Sequence, residues 1–186
     1  MTISLIAALT EKRVIGNKNR IPWHIKDDLL HFKHLTLNHT VIMGRTTFDS
    51  LMEYYKKSGR PLPDRRHVIV SRDTDYTVDL PGCFIAHSVD SALKIAVEKE
   101  TAAILATASV AKGGPEGEGE VFVSGGASIF KQTIGQADRL HLTIVQGEFE
   151  GDTYFPDYSE FKKVVGKEDK KTDTGLTYTL DRKSVV

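Results

Sequence analysis

Apolar residues gather along this chain in short continuous runs, separated by stretches of helical spacing. Four runs stand out: "ISLIAAL" (3–9), "TVIMG" (40–44), "HVIVS" (67–71) and "VFVSGG" (121–126). None alternates cleanly between apolar and polar, which is the pattern of strands covered on both faces. After them come segments of helical character: "DDLLHFKHLT" (27–36), "TTFDSLMEYYKK" (46–57), "SVDSALKIAVEKE" (88–100), with Ser88 as its N-cap, and "ASIFKQTIGQA" (127–137). Strand then helix, repeated, predicts an α/β fold with a mainly parallel central sheet flanked by helices.

The last third changes character. "RLHLTIV" (139–145), "FKKVVGKED" (161–169) and "LTYTLDRK" (176–183) alternate more, and "TDTG" (172–175) is a turn between the last two. An antiparallel C-terminal hairpin is expected there. "AKGGPEGEGE" (111–120) is a low-complexity stretch, but the run after it is of the core-strand type. It therefore reads as a surface loop inside a single domain spanning 1–186.

Composition narrows the partners. The chain has 186 residues, the size of one domain with a real core. Lys plus Arg and Asp plus Glu each number 25, so no basic surplus points to nucleic acid. Cys83 is the single cysteine, which suits a reducing cytosol, and no zinc spacing appears. No stretch approaches the ~20 apolar residues of a membrane span. The apolar start lacks a basic leader region and a small-residue cleavage site, so it reads as a strand. A cytoplasmic monomer is expected.

"RIPWHIKDDLLHF" (20–32) sets two aspartates side by side after the single tryptophan, Trp23. With Asp27 at zero and roughly 100° per residue, Leu35, Phe32, Thr36 and Leu29 fall at roughly 80° to 200°. Asp28 lies inside that arc and Asp27 outside it, near His31 and His34. Asp28 should therefore face core or cleft, and Asp27 water. A carboxylate on an apolar face needs a hydrogen-bond partner. Either a backbone amide or threonine satisfies it, or it awaits a cationic, amidine-like ligand.

The loops after the apolar runs favour the ligand. Open α/β sheets bind ligands at these strand ends. "GRTTF" (44–48) combines Gly44, the cation Arg45, and Thr46 and Thr47 at a helix start. Ser71–Arg72 sets a hydroxyl beside a guanidinium, and "GGASIF" (125–130) offers bare backbone. One glycine before a helix is more often only a turn, and "SGGAS" is not the GxGxxG fingerprint. Three anion-friendly loops describe a dinucleotide with an extra phosphate, which favours NADP over NAD.

Along nearly its whole length the chain resembles the dihydrofolate reductase family. The matching segments, in order, are "ISLIAAL", "VIGNKNRIPWHIKDDLLHFKHLT", "VIMGRTTFDSL", "GRPLPDRRHVIVSR", "VFVSGGASIF", "LTIV" and "GDTYFPDY". The resemblance implies a dihydrofolate reductase-like fold and NADPH-dependent reduction of 7,8-dihydrofolate to tetrahydrofolate, by hydride transfer to C6 and protonation at N5. That activity supports one-carbon and thymidylate metabolism and is an antifolate target. Asp28 then corresponds to the acid that binds the pterin 2-amino group and N3, with Thr143 bonded to it and Trp23 anchoring a water. Ile6, Ala8, Leu29, Phe32, Leu51 and Leu62 correspond to substrate-packing positions. Arg65 corresponds to the residue that pairs with the glutamate α-carboxylate, leaving its neighbour Arg66 solvated.

For NADPH the resemblance implies Ala8, Ile15, Gly16 and Ile21 at the nicotinamide side, Gly44, Arg45, Thr46 and Thr47, Ser71 and Arg72, and Ser124, Gly125, Gly126, Ala127, Ser128, Ile129 and Phe130. "GNKNRI" (16–21) matches the family's closing loop, and Asp152 the acid that holds it. The family commonly has glycine at Ala127, an aliphatic at Ser124 and often tyrosine at Phe130. Residues 52–59 and 101–119 are longer than in compact bacterial members, and 101–119 reads as a surface-loop insertion.

Other readings compete. A pyrimidine reductase of the flavin pathway would also use NADPH, but Trp23, Asp28 and "RPLPDRR" favour folate. A non-catalytic nucleotide-binding regulator would retain the phosphate loops without turnover. Asp27, His31 and His34 share a helical face, which reads better as solvated charge than as a metal site, so no metal is expected.

Overall fold

The aliphatic runs lie side by side in the computed structural model, which describes residues 1–108 and 119–185. In chain order the elements are β1 (Thr2–Thr10), β2 (Val14–Gly16), α1 (Lys26–Thr36), β3 (Thr40–Gly44), α2 (Arg45–Ser58), β4 (Arg66–Val70), β5 (Cys83–Ala86), α3 (Val89–Ala108), β6 (Glu120–Val123), α4 (Ala127–Thr133) with a 3-10 turn at Ile134–Gln136, β7 (Arg139–Val145), β8 (Thr153–Tyr154), β9 (Lys163–Lys171) and β10 (Thr177–Ser184). Eight strands form one sheet in the order β5-β4-β3-β6-β1-β7-β10-β9. The five pairings from β5 to β7 are parallel, and those of β10 with β7 and β9 are antiparallel.

Both faces of the parallel part are covered, which explains the missing alternation. Leu5, Ile42, Val68, Val121 and Val123 pack with Val89, Ala92 and Ala96 of α3 and Ile129 of α4. Their chain neighbours Ile6, Val41, Met43, Ile69 and Phe122 pack on the other face with Phe48 and Leu51 of α2 and Phe32 and Leu35 of α1. Neighbours thus go to opposite faces, and both faces are dry.

Two parts of the sequence reading change. α3 runs to Ala108, so residues 101–108 are helix and not surface loop. "TAAILATA" carries four alanines and neither glycine nor proline, so helix propensity carries the element on. Residues 109–118, the rest of the expected loop, lie outside the described residues. Ser88 caps α3 as expected: Ser91 N donates to Ser88 Oγ at 3.1 Å, and Ser88 N to Ser91 Oγ at 3.2 Å. The second change concerns Arg66, which is not solvated. It donates to Thr40 Oγ1 at 3.0 Å, to the Asn38 carbonyl, and to Glu100 Oε2 at 2.9 Å.

Glu100 is 2% exposed and also accepts from His39 Nδ1 and from the Thr40 amide, at 2.8 and 2.7 Å. Burial alone would raise its pKa, but the bonds from His39, Arg66 and Thr40 outweigh that and hold it at about 2. His67, on β4, is 0% exposed and edge-on to Phe48 at 5.8 Å, and neither ring nitrogen has a partner among the described residues. Burial, then the charge of Arg65, push its pKa down to about 4.

The two groups titrate in different windows. His67 binds its proton less readily folded than unfolded, so its stabilising effect is present above 6.5 and lost as pH falls toward 4. Glu100's is lost below 4.5. His39, raised by its bond to Glu100, works the other way: its contribution is fully present below 6.5 and is lost as pH rises through the raised pKa. Replacing His67 by leucine is expected to remove about 2 kcal/mol of the stability otherwise lost between about pH 7.5 and about pH 5. Urea midpoints at the two pH values measure this. An unchanged difference would mean that His67 is not the titrating group.

Candidate active site

Trp23 and Ile25, both buried in a cluster with Val14, Val145 and Tyr178, fix the entry into α1. Trp23 lies edge-on to Phe149 at 5.1 Å. That anchoring sets the register of the first helical turn. Thr143 Oγ1, on β7, donates to Asp28 Oδ1 at 2.5 Å. Asp27 is exposed and points elsewhere, its Oδ2 accepting a long 3.4 Å bond from the Tyr178 hydroxyl. The helix-face argument therefore holds, and Asp27 acquires a partner that periodicity did not reveal. Burial pushes the Asp28 pKa up, and the Thr143 bond opposes that without cancelling it. Asp28 lines the cleft with Oδ2 unused by any hydrogen bond among the described residues. A flat amidine-like group with two parallel N–H donors suits such a carboxylate.

The cleft measures ≈ 2370 Å³, more than one small ligand fills, so it has room for two molecules side by side. Around Asp28 it is lined by Ile6, Ala8, Trp23, Leu29, Phe32, Leu51 and Leu62, the residues expected there. Arg65 closes this half. It is 7% exposed, its guanidinium lies 4.7 Å from the centre of the Phe32 ring, and no acid pairs with it among the described residues. Burial lowers its pKa against the opposing Tyr55 hydroxyl. A buried cation without a counter-ion is costly, and an anionic ligand removes that cost.

The other half is the phosphate end. β3 pairs in parallel with both β4 and β6, so the loops after these three strands share one sheet edge. Gly44, Arg45, Thr46 and Thr47, Ser71 and Arg72, and Ser124 and Gly126 through Phe130 all line the cleft. Added side chains would fill this cradle: a Cβ on Gly44 would lie 3.3 Å from Ile129 Cγ1, and one on Gly126 3.4 Å from Thr47 Oγ1. These residues fit a dinucleotide phosphate chain. Gly125 differs from expectation, since it does not line the cleft. Its carbonyl accepts from the Gly44 amide at 2.7 Å, its φ is +109°, and a Cβ would lie 2.9 Å from the Phe130 ring. It shapes the turn that brings its neighbours into place. Phe130 packs on Phe155 at 4.8 Å.

Ile15 and Gly16 of β2, and Ile21 of the loop after it, line the cleft. Asn17 and Arg20 exchange backbone bonds across Lys18 and Asn19, whose φ values of 49° and 61° make the tip a tight hairpin turn. Asp152 lies outside the cleft lining and holds this loop from behind. Its Oδ2 accepts from the Lys18 amide at 2.9 Å, its Oδ1 from Thr153 Oγ1 at 2.7 Å, and its own amide donates to the Gly16 carbonyl at 3.1 Å. The Lys18 bond is the main reason the Asp152 pKa is lowered.

Sequence reasoning missed Tyr55, Asp73, His87 and Ser88, which also line the cleft. His87 and Ser88 follow β5, an edge strand whose first three residues are only half-buried, and an unseen strand hides its loop. Among the described residues no group of three or more His, Cys, Asp or Glu is arranged to hold a metal, Asp27, His31 and His34 included.

Known proteins resemble this chain in sequence and fold. The sequence matches the family model described as dihydrofolate reductase over residues 2–184. It is 33% identical over 183 residues to the dihydrofolate reductase of Staphylococcus aureus (strain Mu50 / ATCC 700699), covering 96% of each chain. It is 40% identical over 158 residues to dihydrofolate reductase type 3 of Salmonella typhimurium, covering 85% of this chain and 80% of that one. Its structure is similar to that of dihydrofolate reductase from Enterococcus faecalis complexed with NADP(H) and RAB-propyl, with a TM-score of 0.75, 27% identity, and 98% of this chain and 95% of that one covered.

Because burial raises the Asp28 pKa, the ionised carboxylate weakens the fold at neutral pH. Asp28→Asn keeps an acceptor for Thr143 and is expected to raise the unfolding temperature at neutral pH by about 2–4 °C, the scale of ~1 kcal/mol in a chain this size. The gain should shrink as pH falls through the raised pKa and Asp28 takes up its proton. Thermal melts across that range test it, and a variant that melts lower at neutral pH would contradict the burial argument.

Proposed function

The chain belongs to the dihydrofolate reductase family and is an NADPH-dependent oxidoreductase that reduces dihydrofolate, and we propose the following roles for its residues in that reaction. The observation that carries the assignment is Asp28, half-buried on α1 with one oxygen held by Thr143 and the other left to the cleft. Asp28 binds the pterin 2-amino group and N3, orients the ring, and favours its protonated form electrostatically. Thr143 fixes the carboxylate and is a positioning residue. Trp23 Nε1 is buried, without a partner among the described residues, beside the cleft, which supports its role as donor to a bound water. The proton for N5 comes from water, admitted or shut out by the 16–21 loop that Asp152 tethers.

Ile6, Ala8, Leu29, Phe32, Leu51 and Leu62 pack against the pterin and benzoyl rings. The unpaired, buried Arg65 takes the glutamate α-carboxylate. The phosphate end has two kinds of anion site. Thr46, Thr47 and Gly126 through Ser128 offer amides and hydroxyls to the pyrophosphate. Arg45 and Arg72 follow the paired ends of β3 and β4, and this pair of full charges suits the dianionic 2′-phosphate. Ala8, Ile15, Gly16, Ile21, Ser124, Ile129 and Phe130 surround the nicotinamide half. NADPH, when bound, supplies the hydride for C6. Among the described residues no helix is long and apolar enough to cross a membrane, which accords with a cytoplasmic location.

The assay is NADPH oxidation followed by absorbance with dihydrofolate present or absent. Oxidation should depend on dihydrofolate. Asp28→Asn should lower kcat/KM by at least about 100-fold, and Asp27→Asn by no more than about 3-fold, since it leaves only the surface. Equal losses would refute the roles given to the two aspartates. Turnover of a ribosylaminopyrimidine instead would refute the substrate.

A further inference from the structure

Arg45 reaches the phosphate end already engaged. Its Nη1 donates to Asp73 Oδ2 at 2.8 Å, with the two side chains 43% and 48% exposed. Its guanidinium lies 5.5 Å from the centre of the Tyr76 ring, and the Tyr76 hydroxyl donates to Asp49 Oδ1 at 2.6 Å. Asp73 is fixed on the loop after β4 independently of Arg45. Its Oδ1 accepts from the Asp75 amide at 3.1 Å, and its own amide donates to Ser71 Oγ at 3.2 Å. Arg45, Ser71, Arg72 and Asp73 all line the cleft. An acid therefore stands among the groups suited to the cofactor's extra phosphate.

We propose that Asp73 is a specificity-determining residue for the dinucleotide, its carboxylate competing with the 2′-phosphate for Arg45. This rests on the reading that Arg45 and Arg72 form the 2′-phosphate site. An arriving phosphate dianion meets one guanidinium whose Nη1 edge is taken and a fixed like charge next to it, so Asp73 weakens NADPH binding. A dinucleotide without that phosphate leaves the Arg45–Asp73 pair intact and strands no cation, so Asp73 lessens the penalty against NADH. Both effects lower the discrimination between the two cofactors. The opposing contribution, that Asp73 holds Arg45 in place, is the smaller one. The pair is half exposed and weak, and the Tyr76 ring, itself held by Asp49, still faces the guanidinium when Asp73 is neutral.

Asp73→Asn neutralises the charge and keeps an acceptor for the Asp75 amide. Asp73→Ser does the same by a different group and guards against a fault of one variant. Calorimetric titration of the full chain with adenosine 2′,5′-bisphosphate and with 5′-AMP, at low salt, separates the phosphate from the rest of the nucleotide. Both variants should bind the bisphosphate about 5- to 10-fold tighter, the scale of one half-exposed like charge a few ångströms away, and 5′-AMP within about 2-fold. The kcat/KM ratio of NADPH to NADH should rise by a similar factor. Unchanged or weaker bisphosphate binding in both variants overturns the proposal. A wild-type protein that binds bisphosphate and 5′-AMP equally overturns instead the 2′-phosphate assignment beneath it.

Discussion

A single hydrogen bond joins the two structures on which this site depends. Thr143 sits on β7, between β1 and β10, with Ala8 and Leu180 as its register partners. Asp28 sits in the first turn of α1, which Trp23 and Ile25 pin to the sheet. The 2.5 Å bond between them fixes how α1 lies across the strand ends. It sets where the cleft opens and which oxygen of the carboxylate faces into it. A shift of α1 by one residue that brought Leu29 to the place of Asp28 would leave Thr143 facing an apolar side chain.

Glu100 and His67 on one side, and Asp28 and Arg65 on the other, show two ways of keeping a titratable group away from water. Glu100 is satisfied by His39, Thr40 and Arg66, so it stays ionised and holds α3 to the start of β3. His67 solves the same problem by remaining neutral. Asp28 and Arg65 are left incomplete, one with a single internal partner and the other with no acid, and both line one cleft. Incomplete satisfaction of a buried charge weakens a fold and persists where a ligand completes it. A ligand with amidine-like nitrogens at one end and a carboxylate at the other complements both, as dihydrofolate does.

The sequence revealed most where local chemistry decided the outcome. β1, β3, β4 and β6 were legible because burial on both faces leaves an unbroken aliphatic run. The difference between Asp27 and Asp28 was legible because helix periodicity is a local property. What escaped was set by distant partners. Arg65 and Arg66 are adjacent and alike, but alternation on entering β4 sends one to the cleft and the other to Glu100, 34 positions away. Asp73 looked like an ordinary loop acid until folding brought it to Arg45, 28 positions earlier. β2 and β8 are too short to carry a pattern, β5 is a half-buried edge strand, and the alanine-rich end of α3 was counted with the insertion that follows it. The family resemblance supplied the roles of Thr143 and Asp152, and the geometry then gave each a partner.

The central claim is that a half-buried carboxylate recognises its ligand by charge as well as by shape. The most direct measurement is the protonation state of a bound 2,4-diaminopteridine, read from its ultraviolet difference spectrum at a pH about two units above the free ligand's own pKa, where less than about 1% is protonated in water. On the wild-type protein the bound ligand should show the spectrum of its cation, and on Asp28→Asn that of the neutral form. The same spectrum on both proteins would show that the Asp28 charge does not hold the ligand.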